Sequence, residues 1–145
     1  MSRSGYNDDC YDDEWQWAMI RWRGAVASAI RGKRGQAFLR ELLAALDQMQ
    51  SKRLIAHDLV KEGEVCALGA LGYARGVPMD RWDPEDIEGV AGAFRITDAL
   101  AKEIVYENDE VGDYKETPER RYKRMRNWVA SLIKPVTLPP HPENS

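Results

Sequence analysis

The chain has 145 residues, of which 21 are basic and 24 acidic, and its formal net charge is −3 at neutral pH. This length suits one domain that buries a core without disulfide bridges, and 43% hydrophobic residues exclude a fibrous or wholly disordered chain. Arg21 and Arg23 interrupt the first apolar run, and no stretch reaches the roughly 18 apolar residues of a membrane span or has a signal-peptide pattern. We therefore expect a cytoplasmic protein without membrane contact, whose two cysteines are reduced.

The charge is unevenly distributed along the chain. Net charge is −4 over residues 1–14, +5 over 15–60, −8 over 61–116 and +4 over 117–145. Such alternation is typical of basic helices that pack beside acidic segments of the same molecule, and this is the interpretation we favour. The alternative is a basic half that faces an acidic partner.

The first predicted helix covers about residues 14–31, after an acidic arm at residues 1–13 that we expect to form no element of its own. Apolar residues at three- and four-residue steps mark its buried face: Trp15, Met19, Trp22, Val26 and Ala29 or Ile30. The opposite flank carries Trp17, Arg21, Gly24, Ser28 and Arg31. The small residues around Gly24 would let a neighbouring helix approach closely.

Further helices follow along the chain. Gly32 is interpreted as the residue that ends the first helix, and a second helix at about 36–50 has a broad apolar face that includes Phe38 and Leu42. A short β-hairpin or an irregular connection is predicted near 53–65. CALGALGYAR then resumes helical spacing from Val65 until Gly76.

Capping residues define the last three helices. Asp83 before Pro84 is predicted to cap one helix, and Thr97 and Thr117 are predicted to cap the next two. Pro135 ends the last helix and begins a proline-rich tail, residues 135–145. The predicted fold is a mainly all-α domain of five or six helices over residues 14–134.

DIEGVAGAFRITDALAKEIVYENDE has the spacing of a helix-turn-helix motif. Its second helix carries five acidic residues against one lysine, however, whereas affinity for DNA depends on neutralising phosphates. A structural helical hairpin is the better interpretation.

The sequence provides no catalytic or metal-binding constellation. Cys66 lies in an apolar helical stretch, where a buried inert thiol is expected, and Cys10 lies among carboxylates that blunt its reactivity. His57 is the one histidine outside the tail, which holds His141. The acidic arm, at Asp8, Asp9, Asp12 and Asp13, lacks the spacing of a calcium loop. We therefore predict a non-enzymatic protein with no catalytic residue, metal or cofactor.

Two groups of residues are candidates for binding. Trp17 lies off the buried face beside Arg21 and Arg31, a combination that is common at protein interfaces, so these three are predicted to contact a partner protein. In RGKRG, three cations, Arg31, Lys33 and Arg34, lie between glycines before a helix, where anions are favoured. The spacing is not that of a P-loop, and solvated charges are the simpler interpretation of this segment.

Four segments together resemble a group of small uncharacterised proteins encoded in tailed-phage and prophage genomes: WRGAVASAIRGKRGQAFLRELLAALD, GEVCALGALGYARG, ALAKEIVYENDE and ETPERRYKRMRNWV. The resemblance spans about residues 14–134, and CALGAL with the later Asn-Asp pair is its most distinctive part. It implies a bacteriophage origin and the cytoplasm of a bacterial host, but it transfers no activity. We expect a viral accessory protein that binds a host, defence or phage protein. The alternative is a nucleic-acid-binding module that uses Arg31, Lys33 and Arg34.

Overall fold

The computed structural model describes residue 3, residues 13–79 and residues 82–135, and of Asp13 and Trp15 only the backbone. The elements are α1 (Asp13–Arg31), α2 (Lys33–Gln48), β1 (Val60–Lys61), β2 (Glu64–Val65), α3 (Ala67–Ala74), α4 (Ile87–Phe94), α5 (Asp98–Asp109) and α6 (Pro118–Leu132). The predicted all-α fold with a short hairpin is confirmed. The predicted arm and tail lie outside the described residues, except at Arg3, Asp13 and Pro135. None of the helices in the described ranges combines the length and apolar character needed to cross a membrane.

The core forms where α2 and α5 each meet several other helices. The helix α2 packs against α1, α3 and α6, and α5 packs against α1, α3, α4 and α6. The rings of Phe38 on α2 and Phe94 on α4 meet edge to face, with centroids 6.3 Å apart. The largest fully buried side chains in the described core come from six segments of the chain: Leu39, Leu42, Leu46, Leu54, Leu68, Leu71, Val90, Leu100, Ile104, Val105, Met125 and Val129.

The junction between α1 and α2 is tighter than the sequence predicted. Gly32 follows the last residue of α1, as predicted, but its φ of −69° and ψ of 159° are extended, and it is at the same time the N-cap of α2. The predicted start of α2 at residue 36 was wrong. The Gly32 carbonyl already accepts a hydrogen bond from the Gln36 N–H at 2.9 Å, so Lys33 and Arg34 lie in the first turn of α2.

The segment from β1 to α3 contains the predicted hairpin. Val60 pairs with Val65, and the turn residues Glu62 and Gly63 have φ values of 53° and 80°, the combination found in a type I′ turn. Val65 therefore belongs to β2, whereas the sequence had placed it at the start of the third helix. Gly76 ends the α3 region in the left-handed conformation, as predicted, with φ of 72°.

Helix starts in the second half follow local capping chemistry. Thr97 and Thr117 accept hydrogen bonds from the Leu100 and Arg120 N–H groups at 3.1 and 3.2 Å, which confirms both predicted caps. The prediction that Asp83 caps α4 was wrong. Asp83 accepts from the Glu85 N–H at 2.9 Å and shapes the preceding turn, while Asp86 caps α4.

A buried polar cluster joins distant parts of the chain at the end of α5. The Asn108 amide accepts a hydrogen bond from the Ala67 N–H at 3.1 Å and donates one to the Ile55 carbonyl at 2.9 Å. The neighbouring Asp109 carboxylate forms an ion pair with Arg3 and accepts the His57 N–H at 3.0 Å. We call Arg3, Asn108 and Asp109 the polar cluster. It ties Arg3, the 54–57 connection and the start of α3 to α5.

Charge and burial shift the pKa of the Asp109 carboxyl in opposite directions. Burial alone would raise the pKa of the Asp109 carboxyl, but the hydrogen bonds and charge of Arg3, with the His57 N–H and the Asn108 amide, lower it below its usual value. A carboxyl whose pKa is lowered by folding contributes stability that is present above its unfolded pKa and is lost as pH falls through its folded pKa.

We predict that Asp109→Asn lowers the free energy of unfolding by about 3 to 5 kcal/mol at pH 7, because it leaves the Arg3 charge buried without a partner. The difference from the wild type should shrink as pH falls from about 4, the pKa of an unfolded aspartate, through the lower pKa of the folded Asp109 carboxyl. Urea unfolding at pH 7 and between pH 2 and 5 measures both effects. Other carboxylates titrate in both proteins, so a constant difference across this range would contradict the assignment.

Candidate functional site

The face of α1 that points away from the core carries the predicted binding residues. Trp17 and Ile20 are each 61% exposed, and they lie one turn apart. At 3.6 residues per turn, the exposed residues on this side fall within about a third of the helix circumference. We call them the outer stripe: Trp17, Ile20, Arg21, Gly24, Ser28 and Arg31.

The opposite face fixes α1 on the domain. Val26 is buried, and the Lys102 ammonium of α5 lies 4.2 Å from the centroid of the Trp22 ring. Beside it, the Arg23 guanidinium lies 4.0 Å from the Glu103 carboxylate. The expected inner face is therefore observed wherever its side chains are described, and these contacts set the direction of the outer stripe.

Two features of the stripe differ from the sequence interpretation. Ile20 was not among the predicted binding residues, although its position three residues after Trp17 places it on the same face. The small residues around Gly24 were expected to let a neighbouring helix approach closely, and α2 does so at Ala29, but not at Gly24. A Cβ atom built at Gly24 would have open space within 4 Å, so among the described residues nothing covers it.

Cations from three helix ends converge at the end of the stripe. Arg31 ends α1, and Lys33 and Arg34 begin α2, all three exposed. Lys134, just after α6, joins them, because its Nζ lies 3.4 Å from the Arg31 carbonyl oxygen. We call Arg31, Lys33, Arg34 and Lys134 the basic end. Lys134 was not predicted, because about a hundred residues separate it from the other three.

Gln36 holds the backbone of the basic end in place. Its amide nitrogen donates to the carbonyl oxygens of Ile30 and Leu132 at 2.7 and 3.0 Å, and its amide oxygen accepts from the Lys134 N–H at 2.8 Å. One buried side chain thus connects the last turns of α1 and α6 to the first turn of α2. A cavity of about 140 Å³ beside it is mostly apolar, with Arg34 at its edge.

The basic end differs from the other arginine clusters in the described part of the chain. Several other arginines lie against carboxylates: Arg75 against Glu41, Arg126 against Asp47, Arg124 and Arg121 against Glu116, and Arg53 against Glu64 and Glu119. Hydrogen bonds from arginine lower the pKa of the Glu41, Asp47 and Glu116 carboxyls. Within the described ranges, no ion pair involves Arg21 or a side chain of the basic end.

The potentially reactive side chains Cys66 and His57 lie in contacts that belong to the fold. The Cys66 side chain is 1% exposed, and its sulfur accepts the Gly69 N–H at 3.4 Å as the N-cap of α3. The exposed His57 ring lies 3.8 Å from the Asp109 carboxylate, which already holds Arg3. No group of three or more potential metal ligands occurs among the described residues. Cys10, His141, Asp8, Asp9 and Asp12 lie outside them, as does the side chain of Asp13.

Comparisons with protein-family models, with curated proteins and with solved structures gave no significant match. The function is therefore argued from the geometry of the outer stripe and the basic end.

Two glycines provide a test of where α1 is covered. At Gly35, a Cβ atom would collide with the Ala29 backbone, so we predict that Gly35→Ala destabilises the domain by about 1 to 3 kcal/mol. At Gly24 there is open space, so Gly24→Ala should stabilise α1 by about 0.5 to 1 kcal/mol through helix propensity. Chemical denaturation of both variants measures the contrast. Destabilisation by Gly24→Ala would show that the outer stripe is covered within the domain.

Proposed function

We propose that this protein is a phage accessory protein that acts in the bacterial cytoplasm by binding a host, defence or phage protein through the outer stripe of α1. The observation that supports this proposal is the pair of large apolar side chains, Trp17 and Ile20, each 61% exposed on a helix whose other face is packed. Arg21 lies beside them. The resemblance to small phage and prophage proteins supports the biological setting.

The chemistry of the stripe suits a protein interface. A tryptophan side chain provides a large apolar area that gains roughly 25 cal/mol for each Å² removed from water. Tryptophan and arginine are also the residue types most enriched among side chains that dominate binding energy. Trp17 and Arg21 lie on neighbouring turns of one rigid helix, so little conformational entropy is lost when a partner covers them.

A nucleic-acid-binding function is the second candidate, and the basic end supports it. Arg31, Lys33 and Arg34 are exposed beside Lys134, and the first turn of α2 contains no acidic residue. Cations at a helix N-terminus favour phosphate groups. The net charge of −3 for the whole chain weighs against this candidate, and so does Ile20, because contacts with phosphates would leave its apolar side chain uncovered.

We predict that Trp17→Ala weakens binding to the partner by at least 2 kcal/mol, roughly thirtyfold, without a comparable loss of folding stability. Affinity capture with the full chain from infected cells provides the partner, and calorimetry with the purified pair measures the change. Tyr114→Ala is the matched control, since Tyr114 is 91% exposed at another site. Unchanged affinity, or an unfolded Trp17→Ala variant, would contradict the proposal.

The nucleic-acid candidate makes a quantitative prediction of its own. Each phosphate that Arg31, Lys33 or Arg34 neutralises contributes roughly 0.9 to the slope of log affinity against log salt on duplex DNA. Replacing all three by alanine should lower that slope by about two to three units. Fluorescence anisotropy with labelled duplex and single-stranded DNA measures it. An absence of binding by the wild type at low salt rules this function out.

A further inference from the structure

The outer stripe changes chemistry along its length. Its N-terminal half presents Trp17 and Ile20, and its C-terminal end leads into the basic end at Arg31. Between them lie Gly24 and Ser28, which are small and exposed. From Trp17 to Arg31 the helix rises about 21 Å, at 1.5 Å per residue. This is the length of about four helical turns in a partner.

The small residues in the middle of the stripe allow close approach by such a partner. Helices pack with their axes 8 to 10 Å apart, and the distance depends on the side chains at the crossing point. Gly24 has no side chain to hold a second helix away, and the space above it is open. An elongated partner element can therefore contact the apolar half and the basic end at the same time.

The basic end favours negative charge for three independent reasons. Its four side chains, Arg31, Lys33, Arg34 and Lys134, form no ion pair within the described ranges. The N-cap of α2, Gly32, makes no side-chain hydrogen bond to the helix, and no acidic residue occupies the first turn. The positive end of the α2 dipole is therefore not compensated by the sequence.

We infer that the outer stripe and the basic end together bind an acidic amphipathic helix of a partner protein, whose apolar side chains cover Trp17 and Ile20 and whose carboxylates contact the basic end. This inference rests on the proposed function and adds the chemistry of the partner. Carboxylates at this position complement both the four cations of the basic end and the start of α2.

A second copy of the chain does not supply a matching helix among the described elements. The acidic helices α4 and α5 bury their apolar residues, Val90, Phe94, Leu100 and Ile104, in their own core. We therefore assign the partner helix to a different protein, since the described elements of a second copy do not supply it. Its negative charge would also speed association, because opposite charges steer the encounter of the two molecules.

The inference is tested by selection from a displayed library of random 16-residue peptides on the immobilised full chain, followed by affinity measurement with synthetic peptides. We expect enriched peptides to be acidic, with apolar residues at three- and four-residue spacing. Trp17→Ala should weaken their binding at least about thirtyfold. The pair Lys33→Glu and Arg34→Glu should weaken it at least about tenfold.

The controls separate this surface from the rest of the molecule. Arg120→Glu with Lys123→Glu makes the same change of net charge on the exposed side of α6 and should leave peptide affinity unchanged. Acidic residues in the first turn of α2 are favourable for the helix, so the Lys33→Glu and Arg34→Glu variant should keep its melting temperature. A variant with Lys at every Glu and Asp of a selected peptide should lose binding.

The outcomes distinguish this inference from the proposed function. Enriched peptides that are neutral or basic but still depend on Trp17 would overturn the inference and leave the proposed function standing. Peptide binding that survives Trp17→Ala would overturn both. The inference also falls if no peptide is enriched, or if a 20-base-pair DNA duplex binds more tightly and displaces the acidic peptides, which would favour the nucleic-acid candidate.

Discussion

The polar cluster at the end of α5 is the constraint on which the arrangement of this domain depends. Asn108 is 1% exposed, and its amide satisfies the first N–H of α3 and the Ile55 carbonyl, two backbone groups with no helical or strand partner there. A buried backbone group without a partner costs about 1 to 3 kcal/mol, so α3 and the 54–57 connection are strongly biased toward this position. The Asp109 carboxylate then places Arg3, more than a hundred residues away in the chain, over the same site.

With the core closed by α2 to α6 and by this cluster, α1 makes a limited contribution to burial. Among its described side chains only Val26 is buried, while Met19, Trp22, Ala29 and Ile30 are half-buried. The helix is nevertheless held firmly, because Gly35 touches the Ala29 backbone and Gln36 bridges the ends of α1 and α6. A rigid helix with one packed face is well suited to present the other face to a partner.

Local chemistry in the sequence was sufficient for most elements and insufficient where distant residues meet. Capping by Thr97 and Thr117, helix termination at Gly76 and the apolar spacing on α1 could be predicted. Each depends on residues that lie within a few positions of one another in the chain. Asp83 and Asp86 both fit a cap, and only the turn geometry decides between them. The polar cluster, Gln36 and Lys134 have partners roughly 40 to 106 residues away. Nothing in the local pattern indicates such pairing.

The two interpretations of the alternating charge apply to different parts of the molecule. Glu64, Glu103 and Glu116 of the acidic segment 61–116 form ion pairs with arginines of the two basic segments, as intramolecular complementarity requires. The basic end lies outside these pairs, and its cations come from the two positive segments of the chain, around residues 31–34 and at residue 134. Like charges brought together repel one another, and Gln36 fixes the backbone that carries them. An opposite charge from outside the domain would relieve this repulsion, which is how we propose that an acidic partner binds this end.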